Sequence, residues 1–333
     1  MKVLKAFQKV SIATTLLAAA TLAPGAQLSS DARGAIPKDV QQLVVIDYRE
    51  MENSATAMNL RERVMPPELK QFDEALIKSG LNDNHDVDQL AFAMFRVPAT
   101  NTNAPKSGAP DKQENDRMVT LGIAQGQFDL QGILANFAKQ KIKPKMVRTN
   151  KVYPLPKTGM VLCFVDPSTM VFGDRDAVTK ALDARDGFAS SLLTNDSMMD
   201  AMKSVDSEPL WSILNQKGTQ TMMKQVLGEA GSVTDFESVQ KRLEASWYSM
   251  NFTHGVKFDL TISTGDTFTA ATITSLLSAA LTLRKMSSGD AEKQVLNGTE
   301  IASDAGKMSI HFATTDKTFN DLLKSPLFQG LVR

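Results

Sequence analysis

Two short boxes in this sequence match those of the penicillin-recognising serine enzymes: Lys157-Thr158-Gly159 and Ser238-Val239-Gln240-Lys241. In that chemistry the serine of an S-x-x-K helix attacks a carbonyl. The lysine one turn on helps to take its proton, and a K-T-G strand lines the opposite wall. Here the K-T-G box comes first, and no Ser-Asp-Asn follows Ser238. The match is read as coincidence and assigns no catalytic residue. Leu155-Pro156-Lys157-Thr158-Gly159 also spells a sortase sorting signal, but 174 residues follow it without an apolar span and basic tail, so it reads as a turn.

Metal chemistry fares no better. Asn82, Asn84, Asp86 and Asp88 alternate as oxygen ligands of a calcium loop do, yet Val87 stands where the loop glycine belongs and Ala93 where the closing glutamate belongs. A solvated loop entering a strand fits better. Met198, Met199, Met202, Met222 and Met223 could offer thioethers to Cu(I), but their helical spacing suits core packing equally well. His85, His254 and His311 are far apart and form no H-x-x-x-H pair. Cys163, the only cysteine, lies within Met160–Val165, an apolar strand that lacks a polarising neighbour, so it reads as an inert core residue. No metal or cofactor is assigned.

The elements that would position these groups follow from periodicity. Strands are expected at Leu43–Tyr48, Leu90–Val97, Val119–Ala124, Met146–Val152, Met160–Val165 and Thr169–Phe172. Helices are expected after Pro66-Pro67, with Leu69, Phe72 and Leu76 on one face, after Asp129, and after Asp174 or Asp176 as caps. The stretch Ala99–Asp116 reads as an exposed loop. The second half gives strands at Leu210–Leu214, Trp247–Thr253, Val256–Ile262, Thr299–Ala302 and Met308–Phe312. Its helices are Thr219–Leu227, Phe236–Leu243, Phe268–Arg284 and Lys317–Leu323. Both halves thus read strand, helix, strand, strand, helix, strand, strand, helix. The expected fold is α+β: two similar halves, antiparallel sheets and helices packed on one face.

At the N-terminus Lys2, Lys5 and Lys9 precede an apolar run from Val10 to Leu22 and the small-residue zone Ala23-Pro24-Gly25-Ala26. That order is a secretory signal, and the run falls short of the roughly 20 residues that span a bilayer. The expected division is therefore 1–26 cleaved signal, 27–200 first α+β domain and 201–333 second, with a periplasmic or secreted location. No later segment is apolar enough to span a bilayer once the signal is removed. The chain has 37 basic and 37 acidic residues, and loss of the three signal lysines leaves −3. Such a balance gives no attraction to nucleic acid.

Three segments carry a family resemblance: Asp86-Val87-Asp88-Gln89-Leu90-Ala91-Phe92-Ala93, the strand-turn-strand-helix from Val161 to Asp174, and the strand pair Trp247–Ile262 leading into a long Leu/Ala helix. They resemble exported proteins of unknown function from Gram-negative bacteria that are built of duplicated α+β units. The resemblance implies an exported α+β protein and transfers no catalytic residue.

The functional expectation is a non-enzymatic binding or envelope-associated component acting on an unassigned ligand or envelope partner. The cleft between the halves is its natural ligand site. The candidate binding surface is the small, uncharged face of the long helix, Thr272, Ser275, Ser278 and Thr282, for which helix–helix packing is the competing account. The alternative function is an exported hydrolase whose residues converge only in space.

Overall fold

Apolar residues at alternate positions give a strand one dry face, and the packing follows from which faces meet. The computed structural model describes residues 27–65, 67–81, 86–98, 116–227 and 239–325. The expected signal segment, most of the loop after Pro98, and Ser238 lie outside them.

The first half contains α1 (Ser30–Ala35), β1 (Gln42–Asp47), α2 (Tyr48–Glu52), α3 (Ala55–Val64), α4 (Pro67–Lys78), β2 (Val87–Pro98) and β3 (Asp116–Gly126). It continues through α5 (Leu130–Lys139), β4 (Lys145–Val147), β5 (Asn150–Pro154), β6 (Val161–Asp166), β7 (Thr169–Gly173) and α6 (Arg175–Arg185). After α7 (Asp196–Lys203) the second half holds β8 (Leu210–Leu214), α8 (Gln216–Leu227), β9 (Leu243–Asn251) and β10 (Val256–Thr264). It ends with α9 (Thr267–Ser287), α10 (Asp290–Asn297), β11 (Thr299–Asp304), β12 (Lys307–Thr314) and α11 (Asp316–Leu322).

All these strands join one antiparallel sheet in the order β11-β12-β10-β9-β8-β1-β2-β3-β7-β6-β5-β4. The neighbour order β1-β2-β3-β7-β6 in the first half is matched by β8-β9-β10-β12-β11 in the second, so the halves share a topology. Their first strands pair with each other, Val44 opposite Ser212, which makes one sheet where two were expected. The position 200/201 falls within α7. One expected strand divides: Met146–Val152 is a hairpin, with Arg148 at φ 52 turning the chain between β4 and β5.

The register separates the two faces. One lateral row reads Leu162, Phe172, Gly122, Phe92, Val44, Ser212, Tyr248, Leu260, Ile310, Ile301. Helices cover this face along its length, with Phe72 of α4 and Phe137 of α5 over the first half and Met223 of α8 and Ile273 of α9 over the second. The adjacent row reads Cys163, Val171, Ile123, Ala91, Val45, Trp211, then Ser249, Asp259, His311, Glu300. Its first six members are buried under α1, α6 and α7, whereas Asp259 and His311 are open to water. This second face is thus covered over the first half and bare and polar over the second, as an antiparallel sheet tolerates. The helix α11, which occupies in the second half the place of α6, packs on the opposite face. Its Phe319 meets Met51, Ala57 and Leu60 of the first half, and the Asn59 amide donates to Asn320 Oδ1 at 3.0 Å.

Candidate ligand-binding site

The residues singled out by sequence do not converge. Lys157 and Thr158 form the β5–β6 turn, where Lys157 sits at φ 70, while Lys241 precedes β9, seven strand positions away in the sheet. Thr158 Oγ1 donates to Leu155 O at 3.0 Å and accepts from Met160 N at 3.1 Å, which makes the sorting-signal look-alike a turn, as read. Asp88 ion-pairs with Arg49; Asn82, Asn84 and His85 lie outside the described residues. Met198 and Met202 of α7 are buried in one core with Trp211, and Met223 is buried on the other face with Leu243, so the methionines pack two separate cores. Cys163 is 1% exposed, and burial pushes its thiol up to about 11. His311 Nδ1 lies 2.7 Å from Asp259 Oδ1 on the bare sheet face.

The face of α9 holding Thr272, Ser275, Ser278 and Thr282 points away from the sheet, while Ala270, Ile273 and Leu277 are buried against it. Thr272 Oγ1 donates to Phe268 O at 2.9 Å, Ser275 Oγ to Ala271 O at 3.0 Å and Thr282 Oγ1 to Ser278 O at 2.8 Å. The hydroxyls are therefore engaged within the helix, and no helix of the described chain packs on this face.

Two cavities among the described residues have polar groups on their walls. The larger, about 470 Å³, lies among α4, the end of α5 and the β5–β6 turn, with Glu74, Lys78, Gln140 and Lys157 on its walls. Its groups mostly hold the walls together: Gln140 Nε2 donates to Lys78 O at 3.3 Å and Ser79 Oγ to Ala75 O at 2.8 Å.

The smaller, about 220 Å³, lies at the seam between the halves and is lined by Glu50, Met51, Asn53 and Ser54 from the first and by Pro209, Phe252 and Thr253 from the second. Local chemistry fixes every wall. Asp47 caps α2, its Oδ1 accepting from Glu50 N at 2.9 Å, and Ser54 caps α3, its Oγ accepting from Ala57 N at 3.2 Å. The Asp47 amide donates to Pro209 O at 2.6 Å, which ties the two halves together beside the opening. Asn251 Nδ2 donates to Glu208 Oε2 at 3.1 Å, and Met51 and Phe252 form a buried floor. Glu50 is different: among the described residues its carboxylate has no hydrogen-bond or ion-pair partner. Partial burial, then the negative charges of Asp47 and Glu208, hold its carboxyl above the ordinary range. Sequence reading named a cleft between the halves but none of these acids, because they come from separate segments and follow no motif.

Fold and cavities define an antiparallel α+β protein of two topologically matching halves, with a ligand-sized concavity at their seam. No described helix is long and apolar enough to cross a membrane. No protein family matches the sequence, and no curated protein matches it. Among solved structures the chain is similar to TP0453, a Treponema protein, at 9% identity. Crystal form I gives a TM-score of 0.48 over 87% of this chain and 95% of that one. Crystal form III gives 0.45 over 89% and 99%. The likeness is structural alone.

Proposed function

We propose that the chain is an exported, non-enzymatic binding protein that takes a small organic cation, an ammonium or guanidinium group on a short apolar body, at the seam between its halves. The observation that carries this reading is Glu50: an unpartnered carboxylate beside Asp47 and Glu208, above a floor of Met51 and Phe252. Glu50 feels the negative charges of Asp47 and Glu208 with no base paired to it among the described residues, and a bound cation relieves that repulsion while its apolar part covers the floor. The hydroxyl of Ser54 caps a helix, which favours binding over nucleophilic chemistry. Export is supported by Lys2, Lys5 and Lys9 ahead of the Val10–Leu22 run, and duplication of an ancestral unit by the matching strand order.

Calorimetric titration of the purified protein with butylammonium and with arginine, against acetate as a control, tests the site. Binding of the cations is expected to weaken at least tenfold in Glu50→Gln and to fade at acid pH as Glu50 protonates. Equal binding of acetate, or cation binding untouched by Glu50→Gln, sinks the reading. Turnover of an ester, amide or phosphoester substrate that Glu50→Gln abolishes would put the hydrolase in its place. N-terminal sequencing of the protein from its host's periplasm or medium checks cleavage near residue 26.

A further inference from the structure

A left-handed backbone is a place for glycine or asparagine, because other side chains are strained there. Of the described residues, four that are not glycine adopt it: Lys141, Arg148, Lys157 and Ala305. Three of the four are basic and belong to one stretch of chain. Arg148 has contacts that fix it: it ion-pairs with Asp183, and its guanidinium lies 4.1 Å over the Phe188 ring. The two lysines have none. Lys141 follows α5, where its amide donates to Ala138 O at 3.0 Å and the Ile142 amide to Phe137 O at 2.9 Å. Those paired bonds close a helix on a left-handed residue, ordinarily glycine. The neighbouring helices α4 and α6 close in the same way on Gly80, at φ 90, and Gly187, at φ 79. Lys157 is the second central residue of a turn closed by the Thr158 amide on Leu155 O at 3.4 Å, and its φ of 70 is again one that turns give to glycine. Among the described residues neither lysine side chain has a hydrogen-bond or ion-pair partner.

Both lysines stand at the cavity of about 470 Å³. Lys157 lines it, and Lys141 sits between Gln140 and Ile142, which line it too. From α4 comes Lys78, held loosely by Glu74 at 3.8 Å with both side chains exposed. Glu74 is the single acid among the residues that line the cavity. From Leu130 to Val165 the chain carries seven bases and no acid, in a sequence that balances overall. We infer that this cavity binds an organic phosphate, its anionic group between Lys157 and Lys78 with Lys141 at the rim, and its body against Ile142, Leu155 and Pro156. Ammonium groups gathered at one opening repel one another until an anion sits among them. Phosphate, with up to two charges and oxygens on every side, suits such point donors. A carboxylate is better met by the fork of an arginine, and no arginine lines this cavity. Phe137 and Tyr153 nearby are buried, so no ring is offered to stack a nucleic-acid base. The volume is that of a small-molecule site, and the cavity shares no residue with the one at the seam.

Calorimetric titration of the full chain as processed by its host with phenyl phosphate tests the site. Benzoate is the carboxylate control, and co-sedimentation with phosphatidylglycerol vesicles is the lipid arm. Lys141→Gly and Lys157→Gly are the informative variants, because each places glycine where the backbone asks for it. Each should raise the melting temperature while weakening phenyl phosphate at least tenfold. Lys151→Gln, an exposed change on β5 outside the cavity lining, should leave binding within about twofold. Saturable binding of phenyl phosphate assigns a soluble phosphoester; binding of the vesicles alone, lost in the same two glycine variants, assigns a lipid headgroup. The inference is overturned if neither probe binds, if benzoate binds as tightly as phenyl phosphate, or if Lys151→Gln weakens binding as much as Lys157→Gly. It is overturned too if both glycine variants lower the melting temperature, which would give the lysines a structural role, or if a DNA duplex binds where phenyl phosphate does not.

Discussion

Cys163 shows what a single side chain's surroundings decide. Its thiol is buried among Val171, Ile123 and their neighbours, and a value near about 11 leaves almost no thiolate at neutral pH. Iodoacetamide at mildly alkaline pH should leave the native protein unmodified and label it only after denaturant, as mass spectrometry would show. The local strand sequence already implied this. The pair Arg185–Asp186 was not legible. Burial alone would raise the Asp186 carboxyl, but hydrogen bonds from Arg185 and from Asn150, at 2.9 Å, with the charges of Arg185 and Arg148, hold it below the ordinary range. A depressed carboxylate stabilises the fold above its unfolded value, and that contribution is lost as pH falls through the native one. Arg185→Ala should therefore cost about 2 kcal/mol at neutral pH, and less in acid, by urea melts. Glu50 has the opposite sign. Its raised carboxyl favours the fold at low pH and opposes it once ionised, so Glu50→Gln should raise the melting temperature at neutral pH and make no difference well below the ordinary carboxylate range.

At the scale of the element, caps and turns explain where reading succeeded. Asp129 Oδ1 accepts from Gly132 N at 3.0 Å, and the helix expected after it is α5. Asp129→Ala should cost about 1 kcal/mol in denaturant titrations. Asp174 also precedes its helix, but its side chain accepts from Arg117 at 2.8 Å instead of capping α6. Local spacing could not reveal that competitor, which comes from β3. The β4–β5 hairpin was missed because its turn residue is Arg148, where a glycine or asparagine would have signalled the reversal. The short helices α1, α2 and α10 carry too few turns to display a periodicity. Gly218 has a reason visible only in three dimensions: a Cβ there would stand 2.2 Å from Gln41 O, a backbone atom of the other half. Gly218→Ala should destabilise the protein although alanine is the better helix former.

At the scale of the whole molecule, the order of strands and helices in each half could be read from period and punctuation, because both are local. The joining of the halves could not, because nothing in β1 or β8 records which edge will meet which. Trp211, fully buried beside Val45 across that junction, is its largest side chain. Trp211→Ala should cost about 3–5 kcal/mol and should lower one shared transition, not one of two, in calorimetry. The junction also sets an order of events in the life of each molecule. Gln42 and Ser212 touch across it, yet they stand 170 positions apart in the chain. A ribosome making the protein delivers β1 long before its central partner, so Leu43 and Val45, fully buried at the end, begin beside an unpaired strand edge. The first half is therefore an unfinished object until residue 214 arrives. A message truncated after residue 200 should yield aggregates, and whatever holds the nascent chain apart from its siblings must do so for half the time of synthesis.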